Sequence, residues 1–155
     1  MKITKTLQYF GGGIGVFPLY ELAKEAAKIA KINTYLGFRN KDAVILEKEF
    51  ENISNRLVIT TDDGSYKIQG FAINELKKDI KNEKIDCIFA CGPLPLLKAV
   101  QSLAKELNIP CQISLEEKMG CGLGVCLGCA VEVTSGGYEH VCKQGPVFES
   151  NKVII

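Results

Sequence analysis

Between Met119 and Val147 the chain reads MGCGLGVCLGCAVEVTSGGYEHVCKQGPV. This stretch holds four of the seven cysteines, spaced Cys121-x4-Cys126-x2-Cys129-x12-Cys142. Four thiolates converge only from a tightly curled backbone, and Gly120, Gly122, Gly124 and Gly128 crowd the same loop, where glycine permits positive φ. Bare amide groups beside sulfur also donate hydrogen bonds to it, which tunes an iron–sulfur centre. Four-then-two spacing followed by one distant cysteine is the plant-type [2Fe–2S] arrangement. Cys121, Cys126, Cys129 and Cys142 are therefore the expected ligands of such a cluster.

Other uses of the thiols fit less well. Structural zinc sites usually take two short Cys-x2–4-Cys hooks, and here only Cys126-x2-Cys129 has that form. An oxidised framework is disfavoured by an odd cysteine count, by the absence of a signal-peptide core in MKITKTLQYF, and by the apolar runs around the other cysteines. A Rieske centre needs two imidazole ligands, and the chain has one histidine, His140.

The 155 residues, 46% of them hydrophobic, suffice for one compact domain, or a domain with an appendage. With a net charge of +1 and interspersed Lys and Glu, no basic face points to nucleic acid. Apolar runs are short and interrupted, so no membrane span is expected. A reduced, cytoplasmic setting suits thiolate ligation.

The elements that must position this chemistry alternate along the chain. Residues 6–10 (TLQYF) read as a strand, followed by Gly11-Gly12-Gly13-Ile14-Gly15 and a helical pattern from Pro18 that puts Leu19, Leu22, Ala23, Ala26, Ile29 and Ala30 on one face. Strand, glycine loop and helix N-terminus make an anion site, since free N–H groups and the helix dipole face a phosphate. The loop departs from G-x-G-x-x-G at Val16, so a tight turn without a ligand is the competing reading. Asn33–Phe38 is a second strand ending at Arg39, Lys41–Phe50 a short helix, and Arg56–Thr61 a third strand. Thr61-Asp62-Asp63-Gly64-Ser65 has turn chemistry. Phe71–Ile80 is the next helix, with Phe71, Leu76 and Ile80 inward, and Asp86–Ala90 is a fourth strand running into Cys91-Gly92-Pro93-Leu94-Pro95. A helix then reaches Leu107, with Leu94, Leu97, Val100, Ala104 and Leu107 in one stripe, before a fifth strand at Cys111–Leu115. Strands alternating with helices predict an α/β fold with a five-stranded parallel sheet and helices on both faces. Ligands of such sheets bind at the C-terminal strand ends, the edge that collects Gly11–Gly15, Arg39, Asp62–Ser65 and Cys91–Pro95. Ala130–Val133 and Tyr138–Val141 flank Ser135-Gly136-Gly137 as a hairpin leading to Cys142. The expected division is residues 1–115 for the nucleotide and 116–155 for a small cluster lobe.

These segments resemble a known family. Gly11-Gly-Gly-Ile-Gly…Pro18-Leu19, Gly37-Phe-Arg39, Thr61-Asp-Asp-Gly-Ser65 and Cys91-Gly-Pro-x-Pro95 resemble the pyridine-nucleotide domain of ferredoxin–NADP reductase-like proteins. The tail EEKMGCGLGVCLGC…YEHVCKQGPVF is similar to one branch of that group, the electron-transfer subunits of class 1B dihydroorotate dehydrogenase. The resemblance runs over almost the whole chain, in order. It implies a [2Fe–2S] cluster on the four cysteines and NAD with its pyrophosphate on Gly11, Gly12, Gly13, Ile14 and Gly15. Cys91 and Gly92, followed by Pro93, would lie beside the nicotinamide at the hydride-transfer position. It also implies FAD, an FMN-containing catalytic dihydroorotate dehydrogenase subunit as partner, and a place in pyrimidine biosynthesis. Members of the family carry an N-terminal flavin-binding barrel, and this chain begins where that barrel would have ended. FAD is therefore expected to need a barrel that is in another chain or not part of this sequence, and the chain alone is not expected to turn over. The first strand also carries Gln8 and Tyr9 where aliphatic residues are usual.

The remaining residues have plainer readings beside the functional ones. Cys91 is a small strand-end residue or a site residue, while Cys87 and Cys111 read as core. Asp62 forms a turn or meets a ribose; Arg39 is a solvated strand end or meets an adenosine phosphate, which leaves NAD and NADP both open. His140 reads as a surface residue, and Pro146-Val147-Phe148 as apolar groups exposed for docking. Two other functions compete: a cluster-bearing NAD(P)H reductase subunit of the sulfide dehydrogenase or glutamate synthase type, and a zinc-stapled binding module without redox chemistry.

Overall fold

Thr6–Gly12 (β1) runs through the middle of a seven-stranded sheet, and the computed structural model describes residues 5–80 and 84–155. The other strands are Lys31–Phe38 (β2), Arg56–Thr61 (β3), Ile68–Gln69 (β4), Cys87–Cys91 (β5), Cys111–Ser114 (β6) and Val147–Glu149 (β9). Ala130–Glu132 (β7) and Tyr138–His140 (β8) form a separate antiparallel hairpin. The order across the main sheet is β4-β3-β2-β1-β5-β6-β9, with every pairing parallel except that of β6 with β9. The five parallel strands expected from the sequence are all present. Two short edge strands are added, one of them drawn from the cluster segment.

Successive residues of β1 and β2 are buried almost without a break, as expected for strands covered on both faces. On one face Val16, Leu19 and Ala23 of Val16–Ala26 (α1) pack with Ile32, Leu36 and Phe50, the last from Glu47–Ile53 (α2). On the other, Ala72 and Leu76 of Ala72–Asp79 (α3) and Leu97, Val100, Leu103 and Ala104 of Leu94–Glu106 (α4) cover Phe10, Tyr35, Ile88 and Ile113. Tyr9 and Phe10 illustrate the alternation: Tyr9 stacks on Phe89 on the α1 face, and Phe10 on Tyr35 on the opposite one.

Three helical expectations are corrected. α1 ends at Ala26, and Leu22 and Ile29 are exposed rather than inward. The stretch 41–50 is not one helix but a 3-10 turn at Lys41–Ala43, with the Asn40 side chain accepting the Ala43 N–H at 3.1 Å, and then α2. Leu46, at φ 57°, separates the two, because a left-handed residue ends a right-handed run. Phe71 is not in the core: it precedes α3 with extended backbone and is 68% exposed.

Gln8 and Tyr9 are fully buried despite their polar atoms. Gln8 stands in register with Asn33, and Asn33 with Arg56, so a polar row crosses β1, β2 and β3. α3 closes over it, where Asp79 accepts from the Tyr35 hydroxyl at 2.9 Å and pairs with Arg56 at 2.7 Å.

Candidate functional site

Two places deserve the name of site, and each is built where regular structure ends. The first is a cavity of about 720 Å³ at the C-terminal ends of β1, β2 and β3, roofed by the starts of α3 and α4. Gly12, Gly13, Arg39, Asp62 and Pro93 line it, and so do Thr60, Phe71, Ile73 and Leu96, which sequence reasoning did not select. The strand order reverses at β1, with β2 on one side and β5 on the other, and crevices for ligands open at such points. One signal bears on Phe71: it directly follows Gly70 and stands five residues before Leu76, a spacing off the three-to-four-residue repeat of a helix face.

The glycines of the loop divide by task. A side chain on Gly11 would collide with Val16 and Leu36 at 2.8 and 2.9 Å, so this glycine lets α1 close on the sheet. A Cβ on Gly15 would stand 2.6 Å from the Cys91 carbonyl oxygen, which brings the start of α1 against the end of β5. Gly13, at φ +54° with open space around it, turns the chain along the cavity. Ile14 is 71% exposed and, like Gly11, Gly15, Cys91 and Gly92, lies outside the cavity lining. Cys91 packs with the α1-side core, its thiol pushed up by burial and hydrogen-bonded to Ser114. Gly92, at φ +154°, leaves only 2.8 Å between a would-be side chain and the Gly12 nitrogen, so the β1 and β5 ends nearly touch.

The second site is the cysteine loop. Leu123 and Val125 N–H groups donate to Cys121 Sγ at 3.3 and 3.4 Å. Together with the Cys126 N–H and then the Cys126 thiol, these donors lower the Cys121 pKa to about 6, because hydrogen bonds to sulfur favour the thiolate. Gly122 and Gly124, at φ 68° and 76°, curl the loop so that its amides point inward. Gly120 and Gly128 both leave room for Cys126 Sγ, at 3.3 and 3.5 Å from a built Cβ. Cys142 is hydrogen-bonded to Cys129 and receives the Gly124 N–H, and the Cys129 contact, with burial behind it, raises the Cys142 pKa.

The thiols thus meet as two pairs, Cys121 with Cys126 and Cys129 with Cys142. Among the described residues, no three His, Cys, Asp or Glu side chains are gathered to hold one metal ion. Four thiols meeting in pairs, with N–H donors around the sulfur, are a donor set that a dinuclear iron–sulfur centre takes, two thiolates to each iron. The residues fit the cluster.

Around the loop, Leu123, Val125 and Leu127 are largely exposed, at 65–76%. Of the trio expected to be exposed for docking, Val147 is exposed but Phe148 is buried at 4%, because β9 turns it into the core under β6. His140 also departs from expectation: it is half-buried, with Nε2 sealed from solvent and without a hydrogen-bond partner. Among the described residues no helix is long and apolar enough to cross a membrane.

Comparison with known proteins bears out the resemblance. Residues 116–154 match the profile of the iron–sulfur cluster binding domain of dihydroorotate dehydrogenase B. The chain is 40% identical over 153 residues to the NAD(+)-type dihydroorotate dehydrogenase B electron transfer subunit of Caldanaerobacter subterraneus subsp. tengcongensis, covering 97% of this chain and 60% of that one. It is 42% identical over 143 residues to the probable counterpart in Methanocaldococcus jannaschii, covering 92% and 54%. The chain therefore spans little more than half the length of these relatives. A solved structure of an NADH-dependent reduced ferredoxin–NADP oxidoreductase superposes with a TM-score of 0.84 at 33% identity, over 97% of this chain and 54% of that chain. The C-terminal domain of a Pyrococcus furiosus hydrogenase, at 20% identity and a TM-score of 0.58, shares the fold.

Proposed function

We propose that this chain is the nucleotide- and cluster-bearing part of an electron transfer subunit of dihydroorotate dehydrogenase B, working in pyrimidine biosynthesis. The observation that carries the reading is the pairing of four thiols in a loop whose amides donate to sulfur, on the same framework as a strand-end cavity. Residues 1–115 hold NAD and residues 116–155 hold a [2Fe–2S] cluster through Cys121, Cys126, Cys129 and Cys142. The partner is an FMN-containing catalytic subunit, and the setting is cytoplasmic.

Each residue has a task in this scheme. Gly12 and Gly13 offer backbone N–H groups to the dinucleotide pyrophosphate, with Gly11 and Gly15 permitting the close packing that aims them. Arg39 and Asp62, on the cavity wall, face the adenosine end. Cys91, Gly92 and Pro93 set the β5 terminus beside the nicotinamide, where hydride transfer needs positioning rather than an acid or base. When bound, the cluster carries one electron at a time, and FAD, on a barrel supplied by another segment or chain, would link that to two-electron hydride chemistry. The exposed Leu123, Val125 and Leu127 suit contact with the electron partner.

A second reading, a cluster-bearing NAD(P)H reductase subunit for a different partner, is favoured by the high-scoring superposition on an NADH-dependent oxidoreductase. The test begins with anaerobic purification. A brown protein with about two irons and two sulfides per chain is expected; a colourless protein holding one zinc, even after reconstitution with iron and sulfide, would overturn the cluster. NADH-dependent dye reduction is then measured with and without FAD and a flavin barrel from a related subunit. Turnover should need the barrel, and coupling to dihydroorotate should need the catalytic subunit. Coupling to a different oxidant alone would select the second reading.

A further inference from the structure

His140 ends β8, where it stands opposite Ala130, the residue after Cys129. Its backbone is held on both sides: the N–H donates to Gln144 Oε1 at 2.9 Å, and the carbonyl accepts from the Lys143 and Gln144 N–H groups at 3.0 and 2.9 Å. The ring lies under the cysteine loop. Its Cγ is 3.8 Å from where a side chain on Gly124 would begin, and Gly124 is the residue whose N–H bonds to Cys142. The Lys143 stem comes to 3.0 Å of the same point, so ring and stem both pack against the left-handed backbone of Gly124. Nε2 is shut off from water and has no hydrogen-bond partner. Buried polar atoms are normally satisfied, so a ring nitrogen in that condition beside the cysteine loop leaves a place for a partner from the filled site.

We propose that His140 is a positioning and tuning residue of the cluster, its Nε2–H donating a hydrogen bond to a sulfur atom of the bound [2Fe–2S] group. The inference rests on the cluster reading above. A donor at sulfur draws off charge and favours the more negative, reduced form, so this bond raises the reduction potential. It also ties the hairpin to the loop.

The sequence makes the test clean, because His140 is the only histidine in 155 residues. The full chain, free of any histidine tag, is produced with ring-15N histidine and its cluster reduced. Pulsed EPR should then show a weak 15N coupling where unlabelled protein shows 14N. No ring-nitrogen coupling, or one as large as a directly ligated imidazole gives, overturns the proposal. Potentiometry supplies a second readout. His140→Phe, which keeps an aromatic ring but no donor, should lower the potential, and His140→Gln, which restores an N–H, should bring it back towards wild type. Equal potentials in all three proteins overturn the proposal. If His140→Phe loses its cluster, the labelled wild-type protein still decides. Absence of iron and of any EPR signal in reconstituted wild type would instead bring down the cluster reading itself.

Discussion

Cys121 and Cys111 show how far surroundings separate chemically identical side chains. Cys121 sits in a nest of amides that lowers its pKa to about 6, while burial pushes Cys111 up to about 11. In cluster-free, reduced protein, Cys121 is therefore half thiolate near pH 6 and Cys111 is neutral throughout the physiological range. Iodoacetamide at pH 7 should label Cys121 first, with a rate that falls as pH drops through about 6; peptide mass mapping over a time course checks this, and equal labelling of all seven cysteines would contradict the loop geometry. The proposed ligands should separate from the bystanders in the same way. Serine at Cys121, Cys126, Cys129 or Cys142 should abolish or strongly alter the visible spectrum, and serine at Cys87 or Cys111 should leave it unchanged. A normal spectrum in Cys142→Ser would remove that residue from the ligand set.

The elements around the strand-end cavity meet through backbone rather than side chains. Where Gly15 approaches Cys91 and Gly92 approaches Gly12, a methyl group has no room, and the obstructing atoms are main chain that cannot rotate aside. Gly15 itself has an ordinary right-handed conformation at φ −62°, so alanine there meets collision and not dihedral strain. Gly15→Ala should cost about 1–3 kcal/mol by overpacking and, by displacing the start of α1 from β5, weaken NADH binding. Gly13→Ala faces the opposite situation, open space at φ +54°, and should cost about 1 kcal/mol from the left-handed backbone alone. Urea unfolding of the two variants, with NADH titration of each, tests the ranking. A larger loss at Gly13 would mean that the packing at the β5 end is looser than described.

At the scale of the whole molecule, the cysteine-rich C-terminal segment and the α/β segment before it share one core. β9 extends the main sheet beside β6, and Cys129, Val131, Val133, Val141, Phe148 and Val153 are buried in the same cluster as Ile88, Val100 and Ile113. Gln101 of α4 donates to the Ser150 and Val153 carbonyls and fastens the C-terminal segment from the helix side. The proposed division near residue 115 is therefore one of chemistry laid over a continuous interior. Phe148 also fills the space above Gly145, three residues past Cys142. Phe148→Ala should cost about 3–5 kcal/mol and speed cluster loss. Unfolding followed by visible absorption and by far-UV circular dichroism should stay in a single coincident transition for wild type. Two separated transitions would show the segments folding independently.

What the amino-acid sequence determined by itself was everything carried by short-range pattern. The five parallel strands, the glycine loop leading into α1, the boundaries of β3 and the four-cysteine spacing all follow from periodicity, turn chemistry and ligand geometry over a few residues. Tertiary structure decided what depends on meeting residues far away in the chain. It placed Phe71 in the cavity and Ile14 outside it, because strand order and helix docking, not local hydrophobicity, settle which apolar group faces a crevice. It also brought Gln8 together with Asn33, Arg56 and Asp79, which arrive from other elements to line one small polar pocket. Phe148 was drawn inside by β6, and the Nε2 of half-buried His140 was shut off from solvent once the hairpin closed on the loop. Burial is a property of the assembled chain, so no single window of sequence contains it.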